Sequence, residues 1–234
     1  MMAGMPPSDP STPRSAATVV VVDASRPPAR VLLIRRPEAT AFAAGMLVFP
    51  GGSVDPVDRS APDPVRAAAL REVFEEVGLL YASRPTGGPA AGSERERVAA
   101  ELAGGRSFHE ALELAALTPG YRRLAQIARI VTPPGRPRRY DTHFFIAHAP
   151  RGQDVRPAFG EVTDFLWVEA GLAAADRSLP LMPPTRAVLQ WIGAEADMSG
   201  FVRRWRRRRR ALEPMVRTGE ADGVATWSVP WPPR

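Results

Sequence analysis

Two short aliphatic runs, at 17–23 and 30–36, lie near the start of the chain with a Pro-rich turn between them. Val19 to Val22 and Val31 to Ile34 are the β-branched and aliphatic residue types that favour strands, and the turn makes them a hairpin or meander. Residues 41–47 are a loop of small residues, and Val48-Phe49-Pro50-Gly51-Gly52 ends a short strand in a glycine turn. The polar, Pro-containing stretch 55–64 is a loop. The rhythm then changes: Val65, Ala69, Val73 and Val77 recur every fourth residue and make one apolar stripe on a helix. Asp63 is its N-cap, Pro64 takes the favoured first position and Gly78 stops it. A Pro/Gly-rich linker at 82–92 leads to two helices at 93–103 and 107–117, each opened by Ser. Strands at 124–131, 142–149 and 162–168 and an amphipathic helix at 184–194 complete the order. Strands, helix, helical insertion, strands and helix predict an α/β sandwich with a mixed sheet.

Composition narrows the function classes. The 234 residues include no Cys, which excludes disulfides, thiolate metal sites and a Cys nucleophile, and fits a reducing compartment. Apolar content of 44% supports a packed core, while 26 Pro residues call for many loops and stiff tails. Residues 1–16 read as a disordered Pro/Ser tail without an apolar signal core, and the longest apolar runs are far too short to span a membrane. A cytoplasmic chain without membrane contact is expected. The net charge of +6 is local, because Arg203, Arg204 and Arg206 to Arg210 supply more than the whole of it. Residues 199–234 are thus set apart as a basic Arg/Pro/Trp extension. With Trp205 inside the run, cations for phosphate and an indole for a base make RNA binding or RNA processing the rival function. The plainer reading is a basic helix or tail without a specific partner.

The chemistry is concentrated in Arg71-Glu72-Val73-Phe74-Glu75-Glu76-Val77-Gly78-Leu79. On a helix Glu72 meets Glu75 and Glu76 at i+3 and i+4, so three carboxylates share one face and repel. The apolar stripe leaves them beside or away from the core. A hard divalent cation relieves such repulsion and prefers oxygen ligands, and magnesium keeps sites open for phosphate oxygens and water. Arg71 is placed to orient a glutamate by a bidentate contact. The glycine turn upstream lets a bare backbone approach a ligand.

This segment resembles the second half of the Nudix box, G-x5-E-x7-R-E-U-x-E-E-x-G-U with U aliphatic, and carries every fixed residue of that half. Gly52 stands at the opening glycine and Asp58 at the first glutamate. Twelve residues, 59–70, separate Asp58 from Arg71 where the pattern has seven, a five-residue insertion. The resemblance implies a Nudix-like α/β/α sandwich over 17–198, with a helical insertion at about 82–120 that follows the catalytic helix and is a place for substrate selectivity. It implies a magnesium-dependent diphosphatase, with manganese as the other metal, acting on a nucleoside diphosphate linked to another moiety. Glu72, Glu75 and Glu76 and a carbonyl of the Gly51-Gly52 turn are then the metal set, with Glu72 either a ligand or the base. Glu161, six residues before Trp167-Val168, is the rival base. Arg71 orients, and Arg36, Gly52 and Asp58 lie on the substrate side. Leu32-Leu33-Ile34-Arg35-Arg36, Gly45 and Phe49-Pro50-Gly51-Gly52 further resemble the coenzyme A diphosphatase signature L-L-T-x-R-[SA]-x3-R-x3-G-x3-F-P-G-G. Ile34, Pro37 and Ala41 depart from it, and Ala41 removes a cation. Coenzyme A or an acyl derivative is the first substrate class implied. Homodimers are common in the family, so a homodimer is a further expectation.

Overall fold

Alternation along the long strands sorts the core into two layers. The computed structural model describes residues 12–40, 43–90, 92–158, 161–208, 211–221 and 224–228. In β1 (Arg14–Asp23) Val19 and Val21 belong to one buried cluster and Val20 and Val22 to the other. Leu32 and Ile34 oppose Val31 and Leu33 in the same way in β2 (Arg30–Arg35). A strand whose two faces are both apolar must be covered on both sides, which fixes a three-layer arrangement.

The short strands β3 (Leu47–Val48), β4 (Gly51–Ser53) and β5 (Ala82–Ser83) are followed by β6 (Thr118–Pro119), β7 (Ala125–Val131), β8 (Tyr140–His148) and β9 (Asp164–Val168). β10 (Met215–Ala221) and β11 (Val224–Trp227) come last. The main sheet runs β11-β10-β7-β8-β1-β2-β3, with β4 paired to β1 and β9 to β2. β1 is parallel to β8 and antiparallel to β4, so the sheet is mixed as expected. One face is covered by α1 (Pro64–Val77), α2 (Gly92–Ala103) and α3 (Phe108–Leu114). The other is covered by α4 (Ala170–Ala175), α5 (Pro183–Ile192) and α6 (Met198–Arg207). Among the described residues no helix is long and apolar enough to cross a membrane.

Three readings are corrected. First, β1 begins at Arg14, so residues 14–16 are strand and not tail; residues 1–11 lie outside the described residues. Second, α1 is not a helix with one stripe. Ala67, Ala68, Leu70 and Phe74 are buried together with Ala69, Val73 and Val77, because the sheet, α3 and the segments that flank α1 enclose most of its circumference. Third, the basic segment is not an appendage. α6 sets Met198, Phe201 and Val202 into the second core layer, and Met215 and Val216 of β10 extend the sheet in parallel against β7. Arginine masked this amphipathic pattern: the exposed face carries Arg203, Arg204 and Arg206, while Phe201 and Val202 supply the burial. Trp205 packs edge-on against Trp191, ring centroids 5.4 Å apart, and at a tilt against Phe201 at 5.9 Å, with the Arg208 guanidinium 4.8 Å from its ring. An indole so engaged is no free stacking platform for a base, and the RNA-binding reading finds no support. Arg209, Arg210, Ala41 and the end of the tail at 229–234 lie outside the described residues.

Candidate active site on the buried helix

The site is built on α1, which begins and ends as the local rules require. The Asp63 side chain accepts from the Arg66 N–H at 3.1 Å, Pro64 stands in the first turn, and Gly78 closes the helix at φ +67, with its N–H on Phe74 O. Its last carbonyls are taken by the loop at 153–158: Arg156 N–H donates to Val77 O and Ala158 N–H to Glu76 O, both at 2.9 Å. That pairing brings Glu161, just beyond the loop, beside Glu75.

Arg71 is the hub. Its Nε donates to Asp58 Oδ1 at 3.1 Å, and Nη2 donates to Asp58 Oδ2 at 2.9 Å and Ser53 O at 3.0 Å. Nη1 donates to Glu72 Oε1 and Glu75 Oε2, each at 2.9 Å. Five N–H groups thus meet five acceptors, which saturates the guanidinium and locks its plane. Arg71 is 6% exposed and its charge is held firmly on, above the ordinary arginine value, by Asp58, Glu72 and Glu75 against the opposing effect of burial.

Asp58 corrects an expectation. It stands at the position of the first box glutamate but is 0% exposed, so it cannot touch substrate. It lies in the 3-10 turn Pro56–Ser60, where its Oδ2 also accepts from the Asp55 N–H at 2.9 Å. The inserted residues let this turn fold back under α1, so Asp58 grips Arg71 from below. Sequence reasoning did not foresee that saturated hub; the cue was the pairing of an acid ahead of the helix with an arginine flanked by box glutamates.

The glycine turn fits tightly against both neighbours. A Cβ at Gly51, φ +152, would lie 2.2 Å from Ala17 O, and one at Gly52 would lie 2.3 Å from Glu72 Oε1. Only bare backbone passes between β1 and α1 here. The Gly51 N–H donates to Glu76 Oε2 at 2.8 Å. Contrary to the expectation that the glutamates stand away from the core, Glu76 is 6% exposed. Burial, with the neighbouring Glu72 charge, pushes its carboxyl up to about 8, against the lowering influence of the Gly51 N–H and of Arg36. Burial pushes Glu72 up to about 7 despite Arg71, and raises Glu75 as well, with Glu161 adding to the effect. Arg36 is therefore within electrostatic reach of Glu76, and Glu161 of both Glu75 and Glu76.

These carboxyls hold protons more tightly in the fold than in the unfolded chain, whose ordinary value is 4.5. Their contribution to stability is present below that value and is lost as pH rises through about 7 and 8. His143 and His148, both lowered by burial, act oppositely, but only below the ordinary histidine value of 6.5. Metal-free protein is therefore expected to lose thermal stability between about pH 6.5 and 8, at roughly 2–4 °C per kcal/mol for a chain of this size. Millimolar magnesium should restore it by binding the ionised carboxylates. A melting temperature that is flat or rising over this interval would contradict the burial of Glu72 and Glu76.

Among the described residues, no group of three or more His, Asp or Glu side chains is already gathered as a metal cage. The donor chemistry nevertheless fits a hard divalent cation. Three carboxylates on one helical face are desolvated and mutually repelling, with nearest positive charge from Arg71 and Arg36. Beside them a cavity of about 650 Å³ opens between Phe74, Glu75 and Gly78 of α1, the outer side of α2, and Ala158 and Glu161.

Comparison with known proteins identifies the family. The family model for the NUDIX domain matches residues 12–192. A NUDIX hydrolase from Alicyclobacillus acidocaldarius has a crystal structure that superposes with a TM-score of 0.70 at 30% identity, covering 82% of this chain and 96% of that one. A Caenorhabditis elegans protein that carries the name nudix hydrolase 7 is 29% identical over 156 residues, 67% of this chain. The chain spans about half, 51%, of that curated relative's length. Enzymes of this kind act on nucleoside diphosphate derivatives and generally need divalent metal ions. The match over 12–192 and the shared fold place this chain in the Nudix hydrolase family.

Proposed function

We propose that the chain hydrolyses the diphosphate bond of a nucleoside diphosphate linked to a second moiety, with magnesium or manganese as cofactor. The observation that carries this reading is the buried carboxylate set Glu72, Glu75 and Glu76, held by a saturated Arg71 against the Gly51-Gly52 turn. Glu72, Glu75 and Glu76, with the Gly51 carbonyl, would hold the cation. When bound, it supplies neutralisation of the phosphate charge and acidifies water.

The chain's own groups do the rest. Arg71 fixes the two glutamates at the orientation the site needs and, with all its donors used, holds no phosphate itself. Gly52 keeps the backbone low enough for Glu72 to lie across it. Arg36, whose charge reaches Glu76, stands on the substrate side as a phosphate-binding cation. Glu161, exposed at the cavity edge and making no hydrogen bond to Arg71, is the proton acceptor for the attacking water. Glu72, half enclosed by Arg71 and Gly52, is better suited to hold the cation than to carry a proton away.

Coenzyme A or an acyl derivative is the first candidate substrate. The run from Leu32 to Gly52 supports it, with Ile34, Pro37 and Ala41 as the departures. The test is hydrolysis with magnesium of coenzyme A, acetyl-coenzyme A, ADP-ribose, NADH, a diadenosine polyphosphate and capped RNA. Cleavage of coenzyme A compounds well above the others is the expected result. Cleavage of only capped RNA would replace the substrate assignment, and no cleavage of any by folded protein would overturn the hydrolytic reading.

A further inference from the structure

The cavity beside Glu75 has a wall that no box residue provides. On α2, Glu96, Ala99 and Ala103 follow one another at i, i+3 and i+7, so they share one helical face and line the cavity together. Ala99 and Ala103 are exposed there, and Leu102 adds an apolar flank. Across the gap, Phe74 and Ala158 continue the apolar surface from α1 and the loop. Small side chains on one wall and a phenyl ring on the other leave a slot rather than a packed seam.

Apart from Glu161 at its mouth, the charged groups around this slot have partners. Arg156 is paired with Glu96, which ties the loop to α2. The Arg95 guanidinium donates to Asp154 O at 2.9 Å and would meet a Cβ at Gly78 within 2.7 Å, so it sits over the C-terminal end of α1, where carbonyl dipoles favour a cation. Glu75 is held by Arg71. Away from these pairs and from Glu161 at its mouth, the slot is lined mainly by alanine, leucine and phenylalanine.

Resting on the hydrolytic reading of the adjoining carboxylates, we infer that this slot is the subsite for the moiety joined to the nucleoside diphosphate, and that it selects an uncharged, apolar arm. The slot opens at Glu75 and Glu161, so a diphosphate at the carboxylates directs its second substituent along α2. Apolar burial gives selectivity that grows with arm length, since each buried methylene adds a roughly constant increment. The helical insertion thereby sets specificity, and Ala99 is a specificity-determining residue.

The test uses the full chain with magnesium and two synthetic probes, the methyl and the n-octyl esters of adenosine 5′-diphosphate on the terminal phosphate. Turnover and calorimetric binding are both measured. The octyl ester is expected to exceed the methyl ester by at least about tenfold in kcat/KM and in affinity. Ala99→Trp fills the slot from an exposed position that tolerates a large side chain. It is expected to bring the octyl ester down toward the methyl level, with a much smaller loss for the methyl ester. Equal handling of the two esters by the wild type, or an equal loss for both in the variant, overturns the inference. Chain-dependent binding that Ala99→Trp removes, without hydrolysis of either ester, sustains the subsite and removes the hydrolytic reading instead.

Discussion

Glu75→Gln is expected to lower hydrolysis of whichever diphosphate the chain cleaves by at least about a hundredfold, because it takes a full charge from the cation set. The fold should survive. Glu75 is the least buried of the three box glutamates, with its side chain 31% exposed, and it is one of five acceptors around Arg71. The amide oxygen of Gln keeps an acceptor for Arg71 Nη1, so the orientation of Glu72 is preserved. The expected signature is therefore a split result: turnover is lost, the melting temperature moves little, and the stabilisation conferred by magnesium at pH 8.5 shrinks. Full activity in this variant would remove Glu75 from the metal set. Loss of activity together with a large loss of stability would show instead that the residue serves the fold.

Asp58→Ala should have the largest effect on stability. Asp58 has no exposure, and it accepts from both Nε and Nη2 of Arg71, itself almost wholly enclosed. Removing one partner of such a pair leaves a desolvated charge and two unmet N–H groups, at a cost of about 3–5 kcal/mol. Urea unfolding of the metal-free protein measures it directly. The network also predicts a coupled loss of function, since an Arg71 without its lower anchor no longer aims Nη1 between Glu72 and Glu75. Asp58→Asn keeps the shape and one acceptor and should cost less. A loss below about 1 kcal/mol for the alanine variant would mean that the guanidinium finds other partners, and that the five-residue insertion has no structural role in seating it.

The two experiments separate what similar carboxylates do at different depths. Glu75 lies where cation and phosphate can reach it. Asp58 occupies a box position by sequence, yet works beneath the site as a support. The difference is desolvation: a carboxylate without exposure is useful only to the cation that it already touches.

Much of this was legible in the chain. Asp63, Pro64 and Gly78 bounded α1 because capping is decided by the few residues around each end. The spacing of Glu72, Glu75 and Glu76 placed them together because helical geometry is the same in every protein. β1 and β2 were evident from their β-branched runs, and the start of α3 from Ser107. What only the tertiary structure decided were matters of which surface meets which. The turn that holds Asp58 folds under α1 across a stretch whose composition reads as loop. Glu76 is buried because the Gly51 turn closes over it, and nothing in the local helical pattern contains that contact. The arginine-rich helix α6 joins the core because Phe201 and Val202 find the far face of the sheet, although charge dominates its composition. Periodicity within a segment is written in that segment; desolvation and pairing depend on partners tens of residues away, and so become visible only when the chain has folded.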